Sequence, residues 1–356
     1  MKRLNRTVTW VMTLSGAFWC ATTVNALAQR IYPLTPYVPQ AVADTGDILA
    51  LKPGNPWQTV VIRVLSNGAI LETVLPNGGN GTSFDISEDG KVAAGMVLSP
   101  YRGPVAWVKD DFGRWYSTSV QNVGDVEHLS RGHYLVGTGI YTIQGNSLVR
   151  QENCPEVVGG WGDNGSAATL LKRLSDGRWQ VALGGCNSAL ATYPSRNVRD
   201  IVGYTSGYVY SANYVGIYHA TGSPPLTDVT IPDNGTITGY GGRSMGEYFY
   251  GQANNQAVRW RAGTTSLGNT EPLINLIGTA GINYPQGLTL RSVTAVSQNG
   301  RYIVGSHELN GQTGYYLIDM GVPPTCSSTL PGDVNGDGRV DDGDLSIVLF
   351  SFGRSW

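Results

Sequence analysis

Four stretches of the chain repeat one phrase: "AVADTGDILAL" from Ala41, "FDISEDGKVAAG" from Phe84, "HLSRGHYLVG" from His128 and "AVSQNGRYIVG" from Ala295. Each has a small or apolar lead-in, a turn closing on Gly46, Gly90, Gly132 or Gly300, and an alternating strand behind it. Weaker copies are built on Gly165, Gly203 and Gly246, so successive anchor glycines stand 33 to 54 residues apart. A second phrase follows several of them, as "VAWVKDDFGRWYST", "TLLKRLSDGRWQVA", and the shorter "AVRWRAG" and "GYYLID". Both phrases read as strand and tight turn, because Asp-Gly and Asn-Gly tolerate the positive φ that short hairpins demand.

A unit of this length makes one small antiparallel sheet, which cannot bury both of its faces alone. Copies stack around an axis and bury each other. Little of the chain carries a helical period, and Gly (48) and Pro (18) punctuate it heavily. The expected fold class is all-β, with residues 29–320 forming a β-propeller of about seven blades, six and eight also fitting the spacing. A solenoid or a pair of sandwiches is the competing architecture. Closure of a propeller requires the first strands, near Val42, to meet the last, near Tyr316, since a closed ring leaves no open edge.

The phrase "AVSQNGRYIVG", together with "AVRW", resembles the HAF repeats of secreted and surface bacterial proteins, over most of residues 37–320. That resemblance implies an extracellular location and a propeller, and no reaction. Patterns of catalytic propellers are missing. Ser87-Glu88-Asp89-Gly90 lacks the spacer of a sialidase Asp-box, the Gly-His and Trp-Asp pair of each WD40 blade is absent, and Gly159-Gly160, Gly184-Gly185 and Gly241-Gly242 lack the Tyr and Trp of kelch repeats.

No catalytic group stands out elsewhere. His128, His133, His219 and His307 are scattered without metal-ligand spacing, and "PNGGNGTS" has neither the lysine nor the following helix of a phosphate loop. Paired carboxylates can converge from separate blades, as glycosidases require. Tyr204, Tyr208, Tyr210, Tyr214 and Tyr218 lie close together. They make either a platform for sugar rings or two strands rich in a residue that strands favour.

The N-terminus has Lys2, Arg3 and Arg6, an uncharged apolar stretch and then Ala26-Leu27-Ala28, the order of a secretion signal cleaved near Gln29. Serine, glycine and threonine dilute the apolar stretch, which argues against a transmembrane anchor. The aromatics before Cys20 argue against a lipobox. Loss of residues 1–28 takes the formal charge from 24 − 26 = −2 to 21 − 26 = −5. That acidity excludes the electrostatic footprint of a nucleic-acid binder. Cys154, Cys186 and Cys326 then remain in an oxidising compartment, with their pairing open.

Residues 321–331, "GVPPTCSSTLP", read as a stiff linker. Beyond it, Asp333, Asn335, Asp337, Arg339 (through its carbonyl), Asp341 and Asp344 fall at positions 1, 3, 5, 7, 9 and 12 of an EF-hand loop, with Gly338 at the sixth, so Ca2+ is the expected cofactor. Leu345, Val348, Leu349 and Phe352 then fall at i, i+3, i+4 and i+7 of a helix that Gly353 can cap. Aspartate at the twelfth position resembles a dockerin repeat more than an ordinary EF-hand. A full dockerin has two repeats and residues 332–356 hold one, which puts cohesin binding in doubt. The exposed Ile347 and Phe350 call for cover from a cohesin-like partner, from a second copy of the chain or from the propeller.

The expected function is therefore a secreted, non-catalytic binding or structural propeller presented through a calcium-binding C-terminus, with carbohydrate as a candidate ligand. A secreted polysaccharide hydrolase or lyase is the alternative.

Overall fold

The computed structural model describes residues 30–321, apart from 79–80, 99–102, 130–131, 154–156, 162–168, 184–190, 194–199, 203–205, 220–225, 242–247 and 264. The leader 1–28, Cys154, Cys186 and Cys326, the anchors Gly165, Gly203 and Gly246, the linker beyond Gly321 and all six calcium-loop positions lie outside the described residues.

The described residues form an all-β, propeller-like assembly of seven four-stranded antiparallel sheets. The first is β2 (Val38–Val42), β3 (Asp47–Lys52), β4 (Gln58–Val64) and β5 (Ile70–Val74); the second is β6 (Gly81–Ile86), β7 (Val92–Val97), β8 (Gly103–Lys109) and β9 (Trp115–Ser119). The third is β10 (Val126–His128), β11 (His133–Val136), β12 (Gly139–Gln144) and β13 (Ser147–Asn153); the fourth is β14 (Val157–Trp161), β15 (Thr169–Arg173), β16 (Trp179–Leu183) and β17 (Ala191–Tyr193). The fifth is β18 (Asp200–Val202), β19 (Ser206–Ser211), β20 (Tyr214–His219) and β21 (Leu226–Val229); the sixth is β22 (Thr236–Gly241), β23 (Tyr248–Ala253), β24 (Gln256–Arg261) and β25 (Glu271–Pro272). The last joins β26 (Leu288–Val296), β27 (Tyr302–Leu309) and β28 (Gln312–Asp319) to the first described strand, β1 (Arg30–Pro33). Here Ile31 faces Ile318 and Pro33 faces Tyr316, so the two ends of the repeat region meet as closure requires.

The quoted phrase occupies the connection between first and second strands, and all four anchor glycines adopt positive φ: Gly46 at 80°, Gly90 at 67°, Gly132 at 70° and Gly300 at 74°. Side chains lock two of these turns in the same way. Ser87 Oγ donates to Asp89 Oδ1 and accepts from Val92 N, while Ser297 Oγ donates to Asn299 Oδ1 and accepts from Tyr302 N. The second phrase is a hairpin in both long copies but not the same one. "VAWVKDDFGRWYST" spans the third and fourth strands of its sheet, "TLLKRLSDGRWQVA" the second and third of its own. Turn chemistry sets a hairpin locally, whereas its rung in the sheet depends on which faces the neighbouring sheets bury.

Second strands show how the stacking works. In β3, Ile48, Leu49 and Ala50 are all inaccessible to water, because alternate side chains face different neighbours. Leu49 packs with Ala93 and Trp107 of the second sheet, while Ile48 and Ala50 pack with Val304 and Leu317 of the last. In β7, Val92 and Ala94 face Val126, Tyr134 and Val136 of the third sheet. Leu135 and Ile140 meet Leu170 and Ala182 of the fourth, whose Leu171 and Val181 share a cluster with the fifth and sixth. Tyr250 and Ala257 of the sixth pack with Val293, Ile303 and Tyr316 of the last, aided by Leu273 and Ile277 of a short helix, α1 (Leu273–Thr279). Core clusters thus link each sheet to the next and the last to the first.

Candidate axial site

First strands converge on one cavity of about 130 Å³, walled by β2, β6, β22 and β26 and by residues 125–127 at the start of the third sheet. Tyr210, in the second strand of the fifth sheet, completes the wall. Four carboxylates line it, Asp85, Glu88, Asp125 and Glu127, and no lysine, arginine or histidine does so among the described residues.

The acids do specific work on the backbone. Val126 and His128 are two residues apart, so their N–H groups leave the same edge of β10. That edge has no further strand to pair with, and unpaired N–H groups are costly where water is scarce. Asp85 Oδ2 accepts from Val126 N at 2.8 Å and Glu88 Oε2 from His128 N at 2.6 Å. Asp85 Oδ1 also accepts from Ile86 N at 2.8 Å. Neighbouring turns join the same chain of bonds: Asn299 N donates to Asp44 Oδ1, Asp44 N to the carbonyl of Glu88, and Tyr134 Oη to Asp89 Oδ2. The last, first, second and third sheets are clasped in this way.

Withdrawal from water pushes the Asp85 carboxyl up to about 8, with the charge of Asp125 adding to the effect and the two backbone donors opposing it. Burial also raises Glu88, against the hydrogen bond it shares with Glu127 and the one it accepts from His128. Two carboxyl groups that hydrogen-bond each other need a proton between them.

His128 and His307 stand in different sheets, the third and the last. The His128 ring lies 5.0 Å from that of Tyr134, and His307 has a buried Nδ1 without a hydrogen-bond partner, its pKa lowered by burial. No group of three or more metal-ligating side chains occurs among the described residues. The described tyrosines follow the strand reading, Tyr208 and Tyr210 in β19 and Tyr214 and Tyr218 in β20. Tyr208, Tyr210 and Tyr218 are buried, and Tyr208 and Tyr210 pack edge-on against Phe249 at 5.4 and 5.6 Å. Tyr204 lies outside the described residues. Sequence reasoning missed Asp85 and its neighbours, although a signal was present: Asp85 stands where sister copies of the phrase carry Ala41 and Ala295.

No known protein family and no curated protein matches the chain. Among solved structures, the chain is similar to that of U3-55K, at 12% identity and a TM-score of 0.51, covering 81% of this chain and 98% of that one. A chain of the mitotic checkpoint complex (12%, TM-score 0.48, 88% and 98% covered) and Sqt1 of Saccharomyces cerevisiae (12%, 0.46, 83% and 89%) show weaker likeness. The likeness to U3-55K supports the propeller-like fold alone. No helix among the described residues is long and apolar enough to cross a membrane.

Proposed function

We propose that the chain is a secreted, non-catalytic binding or structural protein of the cell exterior. On this reading it is a seven-bladed propeller held or assembled through a calcium-binding, dockerin-like module at residues 332–356. The cycle of core clusters supports the blade count. Cleavage of the leader near Gln29 leaves Arg30, the start of β1, free to pair with β28.

One observation carries the non-catalytic part: Asp85 and Glu88 spend their oxygens on the backbone N–H groups of Ile86, Val126 and His128. A catalytic acid or base has to be free to meet substrate. Calcium bound by Asp333, Asn335, Asp337, Arg339, Asp341 and Asp344 would order the loop and start the helix behind it, presenting an apolar face to a cohesin-like protein or to a second copy of this chain. Calorimetry and circular dichroism on the mature chain 29–356 test the module. Binding is expected at about 0.1 to 1 mM with a gain of helix. An unchanged response after Asp333→Ala with Asp344→Ala, or no heat up to tens of millimolar calcium, refutes it.

A second reading, a polysaccharide hydrolase or lyase, rests on the same cavity. Burial raises the Asp85 carboxyl to about 8, the direction that a general acid requires. Release of reducing ends or unsaturated products by the native chain, lost in Asp85→Asn, would establish it.

A further inference from the structure

Six hairpin turns of the molecule share one backbone frame, in which a glycine at positive φ donates its N–H to the carbonyl three residues earlier: Gly46 to Ala43, Gly68 to Leu65, Gly90 to Ser87, Gly300 to Ser297, Gly177 to Leu174 and Gly113 to Asp110, at 2.8 to 3.0 Å. In four of them the residue before the glycine is Asn67, Asp89, Asn299 or Asp176. Its Oδ1 accepts the N–H two residues on, from Ala69, Lys91, Arg301 or Arg178. The other two turns depart from this, with Thr45 in one and Phe112 in the other. In the latter, Asp110 takes over the bonding, accepting from Phe112 N at 2.9 Å, Arg114 N at 2.8 Å and Arg114 Nε at 2.9 Å. The frame therefore has no need of an aromatic residue, and the ring is 85% exposed. An exposed large apolar group on a well-braced turn calls for an explanation outside the fold.

Phe112 borders a cleft of about 450 Å³ between the second and third sheets, within the roughly 300–1,000 Å³ typical of small-ligand sites. Its other walls mix charged and amide groups with Tyr134 and Ile143. Lys91 stands 4.0 Å from Asp111, Arg114 is paired with Asp110 and lies 5.4 Å from the Phe112 ring, and Asn146 enters from the third sheet. The remaining cation, Lys109, is engaged by Asp47. Charged donors and acceptors thus stand in opposite-sign pairs beside one aromatic ring.

We propose that this cleft binds a neutral carbohydrate, with one sugar ring stacked on Phe112 and its hydroxyl groups bonded by Asp111, Arg114 and Asn146. A sugar ring offers a face of C–H groups and a rim of hydroxyls, each able to donate and accept, which matches this lining. A protein-docking core is depleted of charged groups, and this cleft is not. An anionic polymer would find its cations already paired. The inference rests on the binding reading above and names its ligand class.

Affinity electrophoresis of the mature chain 29–356 tests it, through gels containing hydroxyethylcellulose, glucomannan or laminarin, with alginate as the anionic comparison. Phe112→Asn restores the residue type of a sister turn and keeps the frame; Phe112→Tyr keeps the ring. At least one neutral polymer retards the native chain; Phe112→Asn weakens that retardation about tenfold or more, in the range stacking contacts give, and Phe112→Tyr retains it. Thermal stability stays unchanged in both. Retardation by alginate alone, by none of the three neutral polymers, or equally by native and Phe112→Asn proteins overturns the proposal, as does equal loss in both variants. The calcium titration is run on the same preparations, so absence of sugar binding beside an intact calcium response sinks this inference alone.

Discussion

Asp85→Asn should change how the stability of the ring depends on pH. In the folded chain the Asp85 carboxyl sits at about 8, against an ordinary value of 3.8, so the folded state holds its proton more tightly than the unfolded state. A carboxyl raised in this way makes stability fall as pH rises, from full effect below about 4 to its loss above about 8. The full difference of about four units corresponds to roughly 5–6 kcal/mol at 1.36 kcal/mol per unit. Asp85 is only half-buried in the cavity wall, so water screens it, and on the order of 2 kcal/mol is the expected share. The amide that replaces the carboxyl accepts one of the two backbone N–H groups and loses the other, at a cost of about 1 kcal/mol. The variant should thus be less stable than the native chain at pH 5 and as stable or more so at pH 8.5, the two curves crossing between. Urea unfolding across that range, followed by tryptophan fluorescence, reads the effect. A residual slope is expected from Glu88, which faces Asp44 and Glu127. Parallel curves for the two proteins would refute the burial argument for Asp85.

Asp47, 4% exposed, binds Arg63 within its own sheet and Lys109 of the next, at 2.7 and 2.5 Å. Asp47→Ala should cost about 2–3 kcal/mol, below the 3–5 of a deeply buried pair because Arg63 reaches water and Lys109 retains the Trp115 ring. Adding Lys109→Met should recover part of that loss, and strict additivity in a double-mutant cycle would contradict the coupling. Gly90→Ala and Gly113→Ala both place a side chain at positive φ, costing about 1–2 kcal/mol. Only at Gly90 would the new Cβ meet Thr45 Oγ1, at 2.6 Å, so its urea midpoint should fall clearly further.

The all-β class was legible because it depends on short-range signals: glycine at positive φ, Ser and Asp or Asn at fixed offsets, and period-two strands. The axial acids were not, since a first strand's inward edge is created only when sheets stand side by side. Asp85 stands at a lead-in position where sister copies carry alanine, and its role shows only where β10 brings Val126 N against it. The tyrosine stretch left two readings open, a platform and plain strands. Tyr208 and Tyr210 cluster in sequence, yet the neighbouring sheet supplies Phe249 and buries them. Phe112 gave no sign by itself; its meaning came from comparing six turns of equal geometry.

Closure by the N-terminal strand is the central structural claim, and cross-linking tests it most directly. Ile31 and Ile318 face each other across β1 and β28, so Ile31→Cys with Ile318→Cys should oxidise to a link within one molecule. That link spans a loop long enough to raise thermal stability by several kcal/mol. Peptide mapping by mass spectrometry of the monomer should recover residues 31 and 318 in one disulfide-joined pair. Failure of that pair to form, or its appearance only between molecules, would contradict the closed ring.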